Sequence, residues 1–419
     1  MSDRPTFETQ LRLALSTYVA DAPVGVDPVA MTTFASRAHV PSTSWRFRRG
    51  SLLPILVGLL VVAVVGAAVA LVASRLDQRT PPRTYIDEVV SAPDLSQEMT
   101  RPVLVALADG RVLVIGAGSD GDGRPTTALV YDPMTGSSAS AGPFASPADP
   151  EEISAAVRLM DGRVFVTGNG APQIFDPRTL QFTAVGPMVT ERTDPALALL
   201  HDGRVLIASG WDSNGEWLAA AELFDPATGT FSTTGPMATA GTASPWGATA
   251  TLPDGRVFMA GGVAEIYDPM TGAFSAAGRN DVFGASTAMV TQDGRVVVVG
   301  KSGIGTRTGH AAIWEPASGT FTEALTTAPG YVIDRATLLD DGRILVMGGD
   351  SGLRWAGVYD LETHETKKIT PPKAWWPSVA KLTDGRVMFV GGVNDWKLRL
   401  CPEYGCVSSP AVKTVEIFE

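Results

Sequence analysis

A tripeptide, Asp-Gly-Arg, recurs seven times in this chain, each time between an apolar segment and a β-branched run such as VLVIG or ILVMG. The copies begin at Asp109, Asp161, Asp202, Asp254, Asp293, Asp341 and Asp384, with a mean spacing of about 46 residues. That period lies in the range of β-propeller blades, in which each repeat forms one small sheet. The sequence therefore predicts a repeat protein with seven blades.

Each repeat has the pattern of two β-hairpins. Asp-Gly tolerates positive φ at both central positions of a turn, so we expect a tight two-residue turn between the first and second strands. A second signature, such as ELFDPATGTF from Glu222, combines an Asp that accepts backbone hydrogen bonds, a Pro that presets φ and a left-handed Gly. It predicts the turn between the third and fourth strands. The arginine repeated in every blade is expected to brace the neighbouring blade or a carboxylate.

Glycine doublets follow the predicted second strand in three repeats, at Gly261-Gly262, Gly348-Gly349 and Gly391-Gly392. An aromatic residue also precedes the turn that follows the third strand. These features resemble the kelch family of β-propellers, within the superfamily that includes galactose oxidase. The fourth-strand Trp of that family is replaced by Phe182, Phe231, Phe274 and Phe321. The resemblance covers residues 84–419 and implies an all-β, seven-bladed kelch-like propeller of a diverged bacterial, membrane-anchored form.

The seventh repeat ends after its third strand, KTVEIFE, at the end of the sequence. The segment from Thr84 to Ser91, TYIDEVVS, has the pattern of a fourth strand. We therefore expect an N-terminal strand to complete the seventh blade and to close the ring, which leaves no exposed sheet edge. A fourth strand starts at the face that carries the tight turns. The chain from the membrane anchor would enter the propeller at the start of this strand, so we expect that face to point toward the membrane.

Residues 51–74 contain no charge and are long enough, as a helix, to cross a hydrocarbon layer of about 30 Å. They predict a single transmembrane helix, and a cleaved signal peptide is the alternative. Residues 1–50 are then a cytosolic tail, either helical and docked on a cytosolic partner or poorly ordered, and residues 75–83 are a linker. The domain boundaries are thus 1–50, 51–74, 75–83 and 84–419.

The two cysteines, Cys401 and Cys406, lie close together in CPEYGC. This spacing suits a disulfide in an oxidising compartment, which favours a cell-membrane protein with a cytoplasmic N-terminus and an extracytoplasmic propeller. The net charge of −11 argues against binding to nucleic acid, because a phosphate-binding surface needs clustered Lys and Arg.

Most tryptophans fall in the long loops and interblade connections, which strand alternation places on the face opposite the tight turns. Several arginines, including Arg192 and Arg279, fall there too. Trp and Arg often dominate the energy of interfaces, whereas the alternative is that some of them only wedge between blades. The candidate binding residues are Trp211, Trp217, Trp246, Arg335, Arg354, Trp355, Trp375, Trp376, Asn394, Asp395 and Trp396.

These features favour recognition of a protein partner without catalysis. One alternative is a cell-surface module that binds a glycan, with Trp396 stacking on sugar beside Asn394 and Asp395. Another is a ligand-sensing relay that signals through the membrane to residues 1–50. A galactose-oxidase-like copper site implies two His and two Tyr, and only His310 falls on the candidate face. We therefore expect no catalytic residue, no metal and no cofactor.

Overall fold

The computed structural model describes residues 84–117, 127–145, 153–168, 170–238, 248–261, 263–301, 308–328, 331–350, 353–393 and 412–419. The chain divides into two compact units, Met1–Arg79 and Thr80–Glu419, and the described residues belong to the second. The expected tail (1–50), transmembrane helix (51–74) and linker (75–83) lie outside them. Within the described ranges, no helix combines the length and apolarity needed to cross a membrane.

The described part of the second unit is an all-β propeller of seven four-stranded antiparallel sheets. The N-terminal strand is β1 (Val89–Ala92), which belongs to sheet seven. Sheet one contains β2 (Thr100–Ala106), β3 (Val112–Ala117), β4 (Thr127–Asp132) and β5 (Ser137–Ser140). Sheet two contains β6 (Ile153–Arg158), β7 (Val164–Gly168), β8 (Gly170–Asp176) and β9 (Gln181–Ala184). Sheet three contains β10 (Ala196–Leu199), β11 (Val205–Ala208), β12 (Ala221–Asp225) and β13 (Thr230–Thr233).

Sheets four to six follow the same order, and sheet seven ends the chain. They contain β14 (Thr249–Thr251), β15 (Val257–Met259), β16 (Val263–Asp268) and β17 (Ala273–Arg279); β18 (Phe283–Val290), β19 (Val296–Lys301), β20 (Gly309–Glu315) and β21 (Thr320–Thr326); β22 (Arg335–Leu338), β23 (Ile344–Asp350), β24 (Leu353–Tyr359) and β25 (Thr366–Ile369); and β26 (Ser378–Lys381), β27 (Val387–Val390) and β28 (Val415–Phe418). The first strand of each sheet contacts the first strand of the next, and β26 contacts β2.

Sheet seven combines the two ends of the propeller sequence. Strand β1 pairs with β28 in antiparallel register, from Val89 opposite Phe418 to Ala92 opposite Val415. The strand starts later than the expected segment from Thr84, because Asp87 has a φ of 58°. A left-handed residue turns the chain out of the extended conformation, so the strand begins only after it.

The Asp-Gly-Arg turns have three loop residues, so the expected two-residue turn is wrong. In the first repeat, Gly110 N–H donates to Leu107 O (3.2 Å) and Leu107 N–H donates to Arg111 O (2.8 Å). This is a type I turn followed by a left-handed glycine, and the seven glycines of these turns have φ between 85° and 89°. Asp109 does not adopt positive φ. Its Oδ1 accepts the Arg111 N–H (3.1 Å) and its Oδ2 the guanidinium (2.7 Å).

The arginines of these turns brace neighbouring sheets, as expected. Arg111 donates to Pro177 O of sheet two at 2.8 Å, and Arg163 donates to Pro226 O of sheet three at 3.3 Å. These two arginines therefore join their own turns to the Asp-Pro turn of the next sheet. These side chains have a structural role and do not form an anion-binding ring.

The propeller has two faces that differ in their loops. The turn face carries the Asp-Gly-Arg turns and the Asp-Pro turns, in which Gly136 N–H donates to Asp132 O at 2.8 Å and Met134 N–H to Asp132 Oδ1 at 2.8 Å. The loop face carries the second-to-third-strand loops and the connections between sheets. Each strand runs from one face to the other, so a site on the loop face combines the ends of second strands with the starts of first and third strands.

The core lies between adjacent sheets. Every residue of β7 and β11 is buried, since each of these second strands is covered on both sides by neighbouring sheets. This explains the continuous apolar runs after each Asp-Gly-Arg, which do not alternate with polar residues. Large rings fill the wedges between sheets. Phe165 of sheet two stacks on Phe224 of sheet three at 4.6 Å.

Candidate functional site

A pocket opens on the loop face between sheets six and seven. Its walls are the start of β22, the end of β23, the start of β24 and the connection 371–377. The empty space is about 330 Å³, including the part open to solvent. Most of this is open solvent, because the space available to the centre of a water-sized molecule is only about 20 Å³. That is enough for about one water molecule, so a ligand would bind across the mouth of the pocket rather than inside it.

Five of the candidate residues line this pocket: Arg335, Arg354, Trp355, Trp375 and Trp376. They come from two sheets and the connection between them, and they meet because first strands, third strands and interblade connections all begin or end at the loop face. The propeller topology thus brings together part of a set that the sequence only placed on one face.

The other candidates are not at this pocket or are not described. Trp211 and Trp217 belong to the second-to-third-strand loop of sheet three. The remaining residues lie outside the described residues. They are Trp246, Asn394, Asp395 and Trp396, together with the predicted disulfide pair Cys401 and Cys406.

The aromatic wall of the pocket extends across sheets six and seven. Trp375 is buried, and its ring centroid lies 5.7 Å from that of the half-buried Trp376. Trp355 donates its indole N–H to Val332 O at 3.0 Å, which fixes the ring. Tyr331 packs edge-on against Trp355 at 5.9 Å. Tyr331 was missed in the sequence, where a single Tyr in a connection carries no periodic signal.

The two arginines are held by backbone carbonyls. Arg354 is exposed, its Cζ lies 5.7 Å from the ring centroid of Trp375, and its NH1 donates to Pro372 O at 2.9 Å. Arg335 donates NH1 to Asp334 O at 2.9 Å. A guanidinium on an indole face gains cation–π attraction and keeps further N–H donors directed away from the ring. The pocket therefore presents positive charge beside apolar surface.

Asp334 is the residue of this site that the sequence did not reveal. Its carboxylate accepts hydrogen bonds from the Gly349 amide and the Trp376 side chain. Its Oδ2 is buried, and no described residue donates a hydrogen bond to it. Burial raises the pKa of Asp334 to about 6, although the charges of Arg335 and Lys301 act to lower it. An isolated Asp at the start of a strand has no spacing that marks it as functional.

The rim of the pocket is conformationally constrained. The connection PPKAWWP contains Pro371, Pro372 and Pro377, and Trp376 has a φ of 51°. Trp375 exchanges two backbone hydrogen bonds with Val393, at 2.9 and 3.0 Å. A bulky residue with positive φ is strained and persists only where its surroundings hold it. The tryptophans are thus presented in a fixed arrangement, which reduces the entropy lost on binding.

Trp211 and Trp217 form a separate pair on the loop face. Their ring centroids are 3.6 Å apart, and the two residues form an antiparallel bridge. Asp212 closes the turn between them, its Oδ1 accepting the N–H of Asn214 at 2.8 Å and of Glu216 at 2.9 Å. The two rings stabilise this hairpin by packing on one another, so much of their apolar surface is already covered.

Arg192, which the sequence placed with the binding arginines, is not available for binding. It is 3% exposed and forms an ion pair with Glu222 at 2.8 Å. Its NH1 also donates to Ser209 O (2.9 Å) and Ala220 O (2.6 Å). Burial lowers the pKa of Arg192, and the charge of Glu222 opposes this effect. Arg192 therefore belongs to the internal structure of sheet three.

Glu222 is one of four buried side chains that occupy equivalent positions on third strands. Each accepts a backbone N–H from the connection that leads into the same sheet. Gln173 accepts from Ala145 (2.7 Å), Glu222 from Val189 (2.8 Å), Glu265 from Ala238 (2.9 Å) and Glu416 from Lys373 (2.7 Å). The signal in the sequence is the Glu or Gln three residues before the Asp or Glu that ends the third strand. These hydrogen bonds have a structural role, because they fix the connections on the loop face.

The described residues contain no group of three or more His, Cys, Asp or Glu side chains close enough to hold a metal ion. His310 is buried, and its Nδ1 shares a hydrogen bond of 2.9 Å with Thr326 Oγ1. The described residues therefore do not fit the two-His, two-Tyr copper site that the galactose-oxidase alternative implies.

Comparisons with known proteins support the fold and leave the family open. No known family profile matches the chain. No curated protein matches it in sequence. The kelch resemblance therefore remains an interpretation of the repeat sequences.

Solved structures with a similar fold come from different functional classes. A fungal alcohol oxidase of the AA5 family in complex with copper matches with a TM-score of 0.56 and 16% identity, over 79% of this chain and 75% of that one. A streptogramin B lyase matches with a TM-score of 0.56 and 12% identity, over 78% of this chain and 97% of that one. The extracellular domain of a candidate one-component system from B. thetaiotaomicron matches with a TM-score of 0.52 and 11% identity, over 79% of this chain and 40% of that one. These similarities show the propeller fold alone.

Proposed function

We propose that this chain is a membrane-anchored, extracytoplasmic propeller of diverged kelch type that binds a protein partner and catalyses no reaction. The binding site is the pocket between sheets six and seven. The observation that carries this proposal is the convergence of Arg335, Arg354, Trp355, Trp375 and Trp376 around one small pocket. Large aromatic side chains and arginines beside a rigid cleft are typical of the centres of protein interfaces.

The membrane anchor rests on the uncharged segment 51–74 and on the start of the propeller. Tyr85 donates its hydroxyl to Gly385 O at 2.7 Å, and Asp87 pairs with Arg343 at 2.9 Å. Both partners belong to Asp-Gly-Arg turns, so the propeller chain starts at the turn face. The pairing of β1 with β28 supports closure of the ring by this N-terminal strand. In the proposed orientation the turn face points to the bilayer and the loop face toward partners.

Photo-crosslinking in native membranes tests the proposal. A photo-reactive amino acid replaces Leu353, which is 54% exposed and adjoins Arg354, and in a control replaces Met270, which is 93% exposed on the turn face. We expect a protein adduct from position 353 that disappears in Trp376→Ala, and no such adduct from position 270. Adducts that persist in Trp376→Ala would contradict a binding site at this pocket.

A glycan ligand is the second candidate, and it is favoured by the half-buried indole ring of Trp376 at the pocket. Sugars stack their C–H faces on Trp and donate hydroxyls to carboxylates. A glycan array probed with the full chain separates the two classes. Glycan binding that Trp376→Ala abolishes, together with no protein adduct at position 353, would replace the protein partner by a carbohydrate.

A further inference from the structure

The charges around the pocket differ from those of the rest of the propeller. On the turn face, each arginine of an Asp-Gly-Arg unit lies next to an aspartate, as in the pair of Arg256 and Asp254 at 2.7 Å. Inside sheet three, Arg192 pairs with Glu222. Arg354 pairs with no carboxylate among the described residues, although it is exposed at the pocket. Its only described polar partner is the carbonyl of Pro372.

The groups that face the pocket are mostly cationic. Arg335 and Arg354 line it, and the charge of Lys301 acts on Asp334 from the end of β19. Asp334 is the carboxylate among the described lining residues. Among the described residues that line the pocket, two arginines face one carboxylate, on a protein whose net charge is −11. A cationic ligand would be repelled by Arg354, which already occupies the Trp375 face.

We propose that the mouth of this pocket, at Arg354 and Trp376, binds an acidic side chain, Asp or Glu, from the protein partner. This inference rests on the proposed function and specifies the chemistry of that same site. The incoming carboxylate binds the outward N–H groups of Arg354 in the fork geometry that guanidinium favours. The stem of the same side chain packs against the half-buried Trp376 at the mouth of the pocket.

Asp334 does not oppose this assignment. Burial raises the pKa of Asp334 to about 6, so this carboxyl takes up a proton more easily than an exposed aspartate when a second carboxylate arrives. The protonated group then offers an O–H donor in place of a negative charge. The Oδ2 atom is buried, so this protonation removes a negative charge near the ligand without contacting it.

Peptide selection with the full chain in lipid nanodiscs tests the inference. A phage-displayed library of random peptides is selected on the wild-type chain, and the enriched peptides are synthesised with each Asp or Glu as such or replaced by Asn or Gln. Arg354→Gln is compared with Arg279→Gln, a matched exposed arginine at the end of β17. Thermal unfolding of both variants checks that the fold is unchanged.

We expect enriched peptides to contain Asp or Glu and to bind about tenfold more weakly to Arg354→Gln, as lost charge-assisted hydrogen bonds require. The peptides with Asn or Gln should bind the wild-type chain with a similar loss of affinity. The Arg279→Gln variant should bind the original acidic peptides as tightly as the wild type does. Neutral or basic peptides that Trp376→Ala releases would overturn the acidic assignment and leave the proposed function standing. Peptides that neither Arg354→Gln nor Trp376→Ala affects would overturn both. Pocket-dependent binding of an oligogalacturonate, with no pocket-dependent peptide, would assign the acidic ligand to a glycan.

Discussion

Arg343, in the sixth Asp-Gly-Arg turn, holds the carboxylate of Asp87 with two hydrogen bonds of 3.0 and 2.9 Å. Lys367 of the same sheet adds a third at 2.8 Å. Asp87 precedes β1, so this cluster ties the N-terminal end of the propeller to sheet six rather than to its own sheet seven. Burial acts to raise the pKa of Asp87, but the hydrogen bonds from Arg343 and Lys367 outweigh it and lower the pKa.

Asp87→Asn should destabilise the propeller by about 1–3 kcal/mol at pH 7, because it removes the carboxylate that Arg343 and Lys367 share and leaves Arg343 paired with Asp341 alone. Asn tolerates the positive φ at this position, so the change isolates the effect of charge. Because the pKa of Asp87 is lowered in the folded chain, its ion pairs stabilise the propeller above pH ~4. This stabilisation is lost as the pH falls further. Thermal unfolding of the full chain from pH 7 to pH 3 measures this. A constant difference between wild type and variant over that range would refute the ion-pair role.

The buried pair of Arg192 and Glu222 leads to a second prediction. Glu222→Gln keeps a hydrogen-bond acceptor for the connection but leaves the buried Arg192 charge uncompensated. We expect a cost of about 3–5 kcal/mol, as for other buried pairs that lose one partner. Glu416→Gln is the matched control, since Glu416 accepts the Lys373 amide at 2.7 Å from an equivalent position. It should cost about 1 kcal/mol. Equal losses in urea unfolding would show that the ion pair contributes nothing specific.

The fold was largely predictable from sequence, since its information lies in short local patterns. Seven Asp-Gly-Arg units and the Asp-Pro turns predicted seven sheets, and the structure confirms that number. The turn type was wrong because Asp109 uses its side chain to bind Arg111, which Asp-Gly alone does not reveal. Local patterns set where chains reverse, but not how a carboxylate is used.

The candidate site was only partly predictable, because it depends on contacts between distant segments. Loop position placed Arg354 and Trp375 on one face, and the structure brings them together at 5.7 Å. Loop position placed Arg192 on the same face, but the Arg192 side chain is buried. It pairs there with Glu222 of β12, a contact that its position in a loop does not indicate. Asp334 was missed because its importance comes from burial by the connection 371–377, and no sequence pattern encodes that.

The two tryptophan clusters on the loop face should respond differently to mutation. Trp217→Ala removes the ring that packs on Trp211 in the hairpin of sheet three. It should lower the free energy of unfolding by about 1–2 kcal/mol, as expected for a half-buried ring. It should not affect binding of the protein partner. Trp376→Ala should abolish the photo-adduct at position 353 with a smaller loss of stability. Thermal unfolding and adduct yield, measured on both variants, check this. Loss of the adduct in Trp217→Ala would mean that the binding surface extends to sheet three.

Asp334→Asn should stabilise the propeller near pH 7.5 and have no effect near pH 4. The folded-state pKa of Asp334, about 6, lies above the ordinary value, so the folded chain binds this proton more tightly than the unfolded chain. Stability therefore declines as the pH rises from about 4 to about 6 and is constant above that. Asn keeps an acceptor for Gly349 and Trp376 without the charge.

We expect a gain of about 1–2 kcal/mol at pH 7.5, less than the full shift implies, because Asp334 is partly exposed to solvent. The neighbouring cations Arg335, Arg354 and Lys301 are unchanged in this variant, so the pH dependence belongs to Asp334. Asp360→Asn is a suitable control, since backbone hydrogen bonds from Thr363 and Glu362 lower the pKa of Asp360 and give the opposite dependence on pH. Thermal unfolding at pH 4, 6 and 7.5 measures both variants. If Asp334→Asn proved less stable than the wild type at pH 7.5, the carboxylate would have to be firmly paired in the folded chain, and Asp334 would not take up a proton readily when an acidic ligand binds.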